Sequence, residues 1–191
     1  MMRYRTRLFY KGICEVVDGR GMAVITLTDQ EEKKALTVVC DEMMKSQLQL
    51  RTCGGRTCDK LLPEVMTAML KDLGGTERYE IEVYDIIDGE YKTVLTDVTD
   101  QTQFPVRLSD AVLLSEVSGI PVYIDNRLLM RQGVDYASRQ QGKMAIPINV
   151  LSGERLEEEM QKAIDCENYR LASQIKEELQ RRQKRTERQE E

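Results

Sequence analysis

Arg107-Leu108-Ser109-Asp110-Ala111 places a guanidinium, a hydroxyl and a carboxylate in one short stretch. Ahead of it, Tyr91, Val94 and Leu95 read as a strand. Behind it, Val112, Leu113 and Val117 recur at helical spacing as far as Gly119, a stop signal. A strand-to-helix junction suits chemistry, because the free N–H groups and dipole of a helix start attract anions. Two readings fit these residues. Ser109 could cap the helix while Asp110 complements its dipole. In the other, Arg107 and the helix start bind a phosphate, and Ser109 and Asp110 take part in catalysis, Asp110 holding a metal or activating water. A cap needs no arginine beside it, which keeps the second reading open without displacing the first. Asp88 and Glu90, turn residues first, are further candidate metal ligands, and Asp85, Asp97 and Asp100 join the same pool.

The chain of 191 residues contains no histidine, which excludes every mechanism that needs an imidazole as base, acid or metal ligand. Phosphodiester hydrolysis would fall to carboxylates with a hard cation, Mg²⁺ or Mn²⁺, or to Lys or Tyr. No organic cofactor is expected. A net charge of −5 opposes nucleic-acid binding unless cations are gathered locally. Arg3, Arg5 and Arg7, two apart, share one face of a strand and are the candidate nucleic-acid contacts. The plainer reading is an edge strand guarded by charge. Cys53 and Cys58 bracket Gly-Gly-Arg-Thr like half of a zinc site, but no second Cys or His pair completes it within one chain. An intersubunit site, a redox pair or a simple Gly-Gly loop remain. The odd count of five cysteines fits a reducing compartment. The absence of an apolar run near 18 residues and of a leader segment predicts a soluble, cytoplasmic protein away from membranes.

The elements that must position these groups follow from periodicity. Strands are expected over 6–17, 22–28 and 35–40, then a short helix over 41–50. A second helix has Asp59 as cap and Pro63 in its first turn. Its Leu62, Val65, Met66, Met69, Leu70 and Leu73 form a buried stripe before Gly74-Gly75, with the methionines as core filler. Asp88-Gly89 joins two β-rich runs in a tight hairpin. Strands interleaved with unequal helices give an α+β domain with a mixed sheet and packed helices.

These residues in order resemble the bifunctional nuclease family, a bacterial and plant domain credited with DNase and RNase activity. The resemblance rests on Ala35-Leu36 with Val38-Val39, the helix from Leu61-Leu62 to Leu70, Asp88-Gly89, Arg107 to Ala111, and Gly119-Ile120-Pro121-Val122-Tyr123, and covers residues 6–136. It departs after the third strand, where Asp41-Glu42-Met43-Met44-Lys45 is bulkier than the family's small and Ala-rich positions. The resemblance implies a nuclease domain over 1–136.

A polar stretch over 137–152 reads as a linker. Beyond it, Leu156, Met160, Ala163 and Ile164, then Tyr169, Ala172, Ile175 and Leu179, recur at helical spacing on either side of Asp165-Cys166-Glu167-Asn168. An antiparallel helical hairpin over 153–191 follows, its tail from Gln180 a fraying, solvated end. These positions, with Lys176-Glu177, resemble the UVR domain, the hairpin by which excision-repair subunits associate and which also occurs in regulators of stress proteases. Leu156, Met160, Tyr169, Ile175 and Leu179 are the candidate partner-binding residues, for another protein or for a second copy in a homo-oligomer. Two functions are thus in view. One is a metal-assisted nuclease on DNA or RNA linked to an interaction hairpin. The other is a non-catalytic adaptor in DNA repair or stress response acting through the hairpin.

Overall fold

The computed structural model describes residues 4–15, 22–52, 58–136, 148 and 151–190. In chain order the elements are β1 (Arg5–Glu15), β2 (Met22–Thr28), β3 (Lys34–Asp41), α1 (Glu42–Thr52), α2 (Leu62–Asp72), a 3-10 turn (Thr76–Arg78), β4 (Tyr79–Ile87), β5 (Glu90–Asp97), β6 (Gln103–Arg107), α3 (Leu108–Ser118), β7 (Val122–Asp125), α4 (Asn126–Gln132), β8 (Val134–Asp135), α5 (Gly153–Asp165) and α6 (Tyr169–Glu190). The chain divides into two compact units, one of Met1–Asp85 with Tyr91–Met144, the other of Ile86–Glu90 with Ala145–Glu191.

The fold is α+β, built on a mixed eight-stranded sheet in the order β6-β5-β4-β7-β1-β2-β3-β8. β4 and β7 run parallel, while β1 pairs antiparallel with both β7 and β2. β2 is buried from Ala23 to Thr28 without alternation, as a strand covered on both faces must be. Asp88 (φ 48°) and Gly89 (φ 77°) both take positive φ, the backbone of a type I′ turn, as the Asp-Gly pair predicts. β1 is not an edge strand. It lies between β7 and β2, but Arg5 to Leu8 pair only with β7 and the pairing with β2 begins at Phe9.

The core of the first unit lies between sheet and helices. Leu8, Ile25, Leu27, Leu36, Ile81, Val83, Val122 and Ile124 are almost fully buried, each worth about 1.5–3 kcal/mol against exposure. α3 is the central helix, buried at Leu108, Ser109, Ala111, Val112, Leu113 and Leu114 and packed against α1, α2 and strands β3, β6 and β7. Its C-terminus closes on Gly119 in the left-handed region (φ 79°), whose N–H donates to Ser115 O.

α2 departs from expectation twice. Its N-cap is Leu61, not Asp59, and no side chain caps it, Pro63 occupying the first turn. The apolar stripe is not buried: Leu62 (71%), Val65 (40%), Met66 (41%), Met69 (57%) and Leu73 (64%) are exposed. The helix seats through its other side, where Thr67 is buried and Glu64 takes two 2.7 Å bonds from Arg51. A stripe at helical spacing marks an apolar face without saying which neighbour it meets.

In the second unit, α5 and α6 form the expected hairpin, joined at Asn168, whose Oδ1 accepts from Leu171 N–H at 3.3 Å. Leu151, Leu156 and Ile175 are its buried centre, flanked by Ile148, Met160, Leu171 and Leu179. Tyr169 (67%) and Ile164 (43%) lie outside that centre. The chain past Gln180 is helical to Glu190, and Arg182 bonds to Glu178 Oε1 (3.0 Å), Leu151 O (2.7 Å) and Asp88 Oδ1 (3.0 Å). The linker expected over 137–152 lies mostly outside the described residues.

Candidate functional site

β6 passes into α3 without a loop. Arg107 is the last strand residue, paired with Lys92 on β5, and also the helix N-cap, with extended φ −66° and ψ 141°. No side chain caps this helix, so Ser109 is not the cap; it lies nearly buried in the first turn. Because the helix starts at Leu108, Asp110 sits three residues past Arg107 and faces it. Arg107 Nε donates to Asp110 Oδ2 at 2.6 Å and Nη2 to Oδ1 at 3.2 Å, a forked pair. Both side chains reach solvent, Arg107 at 64% exposure and Asp110 at 38%. The Asp110 hydrogen bond holds the guanidinium firmly charged, and Asp41 adds to the same field.

Asp41 is the residue the sequence reading passed over. It ends β3 and caps α1, accepting from Met44 N–H at 2.7 Å. Its position at a second strand-to-helix junction was the available signal. Glu42 beside it opens α1, with Lys45 4.0 Å away.

The other candidates stand apart. Asp88, in the turn of the second unit, accepts from Arg182, and Glu90 belongs to the same segment. Asp85 lies 3.7 Å from Arg131. Asp97 accepts from Arg78 and from Thr99, contacts that hold its carboxyl down at about 2. Asp100 accepts from Thr102 N–H at 2.9 Å. Among the described residues no group of three or more acidic or cysteine side chains could hold a metal ion. Cys58 is partly buried, whereas Cys53 lies outside the described residues.

On the sheet, Arg5 and Arg7 share one face of β1, opposite Asp125 and Tyr123 of β7. Arg5 stacks 4.6 Å over the Tyr123 ring and donates twice to Glu80, at 2.5 and 3.1 Å. Arg7 lies 5.1 Å over Phe9 and, among the described residues, has no carboxylate partner. Arg3 lies outside the described residues. β7 pairs with β1 only as far as Leu8. Beyond that point a cleft of about 310 Å³ opens beside β1, lined by Arg7, Phe9, Tyr10, Ser115, Glu116 and Pro121 among others. Loss of water around it raises the Tyr10 phenol and the Glu116 carboxyl above their ordinary ranges. Neither residue carried a sequence signal.

The model of the bifunctional nuclease domain family matches residues 25–137. The chain belongs to that family. A comparison with curated proteins finds no match. The bifunctional nuclease match takes in β2 from Ile25 through β8, and with it both junctions, Asp41 and Arg107 to Asp110. Arg5 and Arg7 precede it, and α5 and α6 follow it. No described helix is long and apolar enough to cross a membrane.

Proposed function

We propose that the protein hydrolyses phosphodiester bonds of DNA or RNA at the start of α3. One observation carries this: within a bifunctional nuclease domain, a solvent-facing, forked Arg107–Asp110 pair sits at an uncapped helix start. A backbone phosphate competes with Asp110 for the same planar guanidinium, and Ser109 offers its backbone N–H beside it. As Arg107 turns to the phosphate, the Asp110 carboxylate is released to take a proton from the attacking water. The water oxygen then bonds to phosphorus, the ester oxygen leaves, and solvent returns the proton it needs. In this reading Asp110 would offer its carboxylate to Mg²⁺ or Mn²⁺, with substrate phosphate and water supplying the remaining oxygens, and the cation would neutralise charge that develops on the phosphate. Arg5 and Arg7, with Tyr123 and Phe9, would give the strand a mixed cationic and aromatic surface. Cleavage of labelled single- and double-stranded DNA and RNA with Mg²⁺, Mn²⁺ or EDTA tests the proposal. No cleavage of any substrate with either metal would overturn it.

A second reading is favoured by the hairpin, whose exposed Tyr169 and Ile164 stand clear of its own centre. In this reading a UVR-like hairpin recruits a repair or stress-response protein, and the nuclease domain serves as its scaffold. Leu156 and Ile175 then act by holding the hairpin together, and Tyr169 by touching the partner. Tyr169→Ala should abolish capture of a UVR-bearing repair subunit without altering helicity. Unchanged capture would remove this reading.

A further inference from the structure

The cleft beside β1, where pairing with β7 stops at Leu8, is left unused by the chemistry proposed at the start of α3. Its volume of about 310 Å³ lies at the small end of the roughly 300–1,000 Å³ over which small-molecule sites fall. That size suits one flat ring system. Leu27 and Val112, both almost fully buried, give it an apolar floor. Arg7, laid 5.1 Å over the Phe9 ring, lines it from β1, and Glu116 lines it from α3. Among the described residues neither Arg7 nor Glu116 is held in a salt bridge. The Glu116 carboxylate is close enough to act on the Tyr10 phenol, and both groups lose water in the cleft, which strengthens any hydrogen bond made there.

A cation and an acid that line one cleft without bonding each other suit a ligand that carries a partner for both. A nucleotide does. Its ring stacks on the Arg7–Phe9 pair, its phosphate is drawn to the same guanidinium, and its edge meets Glu116. That edge decides which base fits. A carboxylate only accepts hydrogen bonds, through two oxygens side by side. Guanine alone offers two adjacent donors on its Watson–Crick edge, N1–H and the N2 amine. Adenine and cytosine set a bare ring nitrogen beside their amine, and uracil and thymine flank N3–H with carbonyls. We propose that this cleft holds a guanine base of a single strand, with Glu116 accepting from N1–H and the N2 amine and Arg7 at the adjoining phosphate. A duplex hides that edge in pairing, so the cleft selects unpaired strands. The proposal rests on the nuclease reading and deepens it. Glu116 follows Asp110 on the same helix, about 9 Å along its axis, so a strand with one phosphate at Arg107 can set a neighbouring base in the cleft.

Calorimetric titration of the full chain with guanosine, adenosine, cytidine and uridine 5′-monophosphates tests this without requiring cleavage. The guanosine nucleotide should bind about tenfold or more tighter than the other three, the margin of one bidentate base contact. Inosine monophosphate, which lacks the N2 amine, should lose most of that margin. Glu116→Gln replaces one acceptor by a donor, a pattern that matches the amine and bare N1 of adenine. The ratio of guanosine to adenosine nucleotide affinity should therefore fall about tenfold or more. Melting temperature should hold, because Glu116 reaches solvent. Arg7→Ala should weaken all four nucleotides together and leave the ratio unchanged. Equal binding of the four, binding of none, or a ratio unchanged in Glu116→Gln overturns the proposal. Guanine preference in a protein that cleaves no strand would remove the nuclease reading and keep the guanine site. Cleavage without any nucleotide preference would do the reverse.

Discussion

Asp110 has both oxygens committed to Arg107, so its substitution separates charge from shape. Asp110→Asn keeps the outline and part of the hydrogen bonding but removes the carboxylate that would accept a proton. Cleavage should fall by about 10²-fold or more, as for a lost general base, with the melting temperature little changed. Full activity in this variant would retire the role assigned to the junction. Ser109→Ala supplies the contrast: since Ser109 is no cap, it should not carry the loss of about 1 kcal/mol that removal of a cap brings. Urea titration reads both. Asp97 concerns stability instead. Arg78 and Thr99 depress its carboxyl to about 2, below the ordinary value near roughly 3.9. Its contribution is therefore complete above pH ~4 and is lost as pH falls through the folded value near 2. Asp97→Asn should be less stable than wild type at pH 7, and the gap should narrow steadily below pH ~4. A gap unchanged down to pH ~2 would contradict the assignment.

Gly119 turns the chain out of α3 toward β7 and so holds the far end of the helix that begins at the candidate site. Its φ of 79° is one that a residue with a Cβ adopts only under strain, although no atom lies within 4 Å of where that Cβ would stand. Gly119→Ala should therefore cost about 1 kcal/mol from backbone alone, and thermal unfolding measures it. This element was legible beforehand, because a glycine closing a helical run is a local signal. So was the hairpin at Asp88-Gly89. The side by which α2 packs was not, since both a buried and an open stripe have the same spacing.

For the whole molecule, a net charge of −5 means that cations must be placed, not merely counted. Arg7 is the better measure of whether β1 meets a phosphate backbone, since Arg5 is tied to Glu80. Arg7→Ala should weaken binding to all sequences alike and reduce the dependence of log K on log salt by about one unit of slope. Filter binding at several salt concentrations decides it. An unchanged slope would leave β1 out of the interface.

By itself the sequence determined the α+β class, the tight turn at Asp88-Gly89, the helix that starts after Arg107 and the helical hairpin, whereas β6, the strand that enters that helix, was not read from it. Each depends on residues within a few positions of one another: turn backbone preferences, alternation, helical spacing, a glycine stop. The tertiary structure decided the rest. It put β1 inside the sheet, because a strand's neighbours are chosen by pairing partners more than a hundred residues away, with Arg7 opposite Tyr123. It brought the field of Asp41 to bear on Arg107 across more than sixty residues of chain. It left the apolar face of α2 in solvent by seating the helix through Thr67 and Glu64, a choice made by the shape of the neighbours and not by the period of the helix.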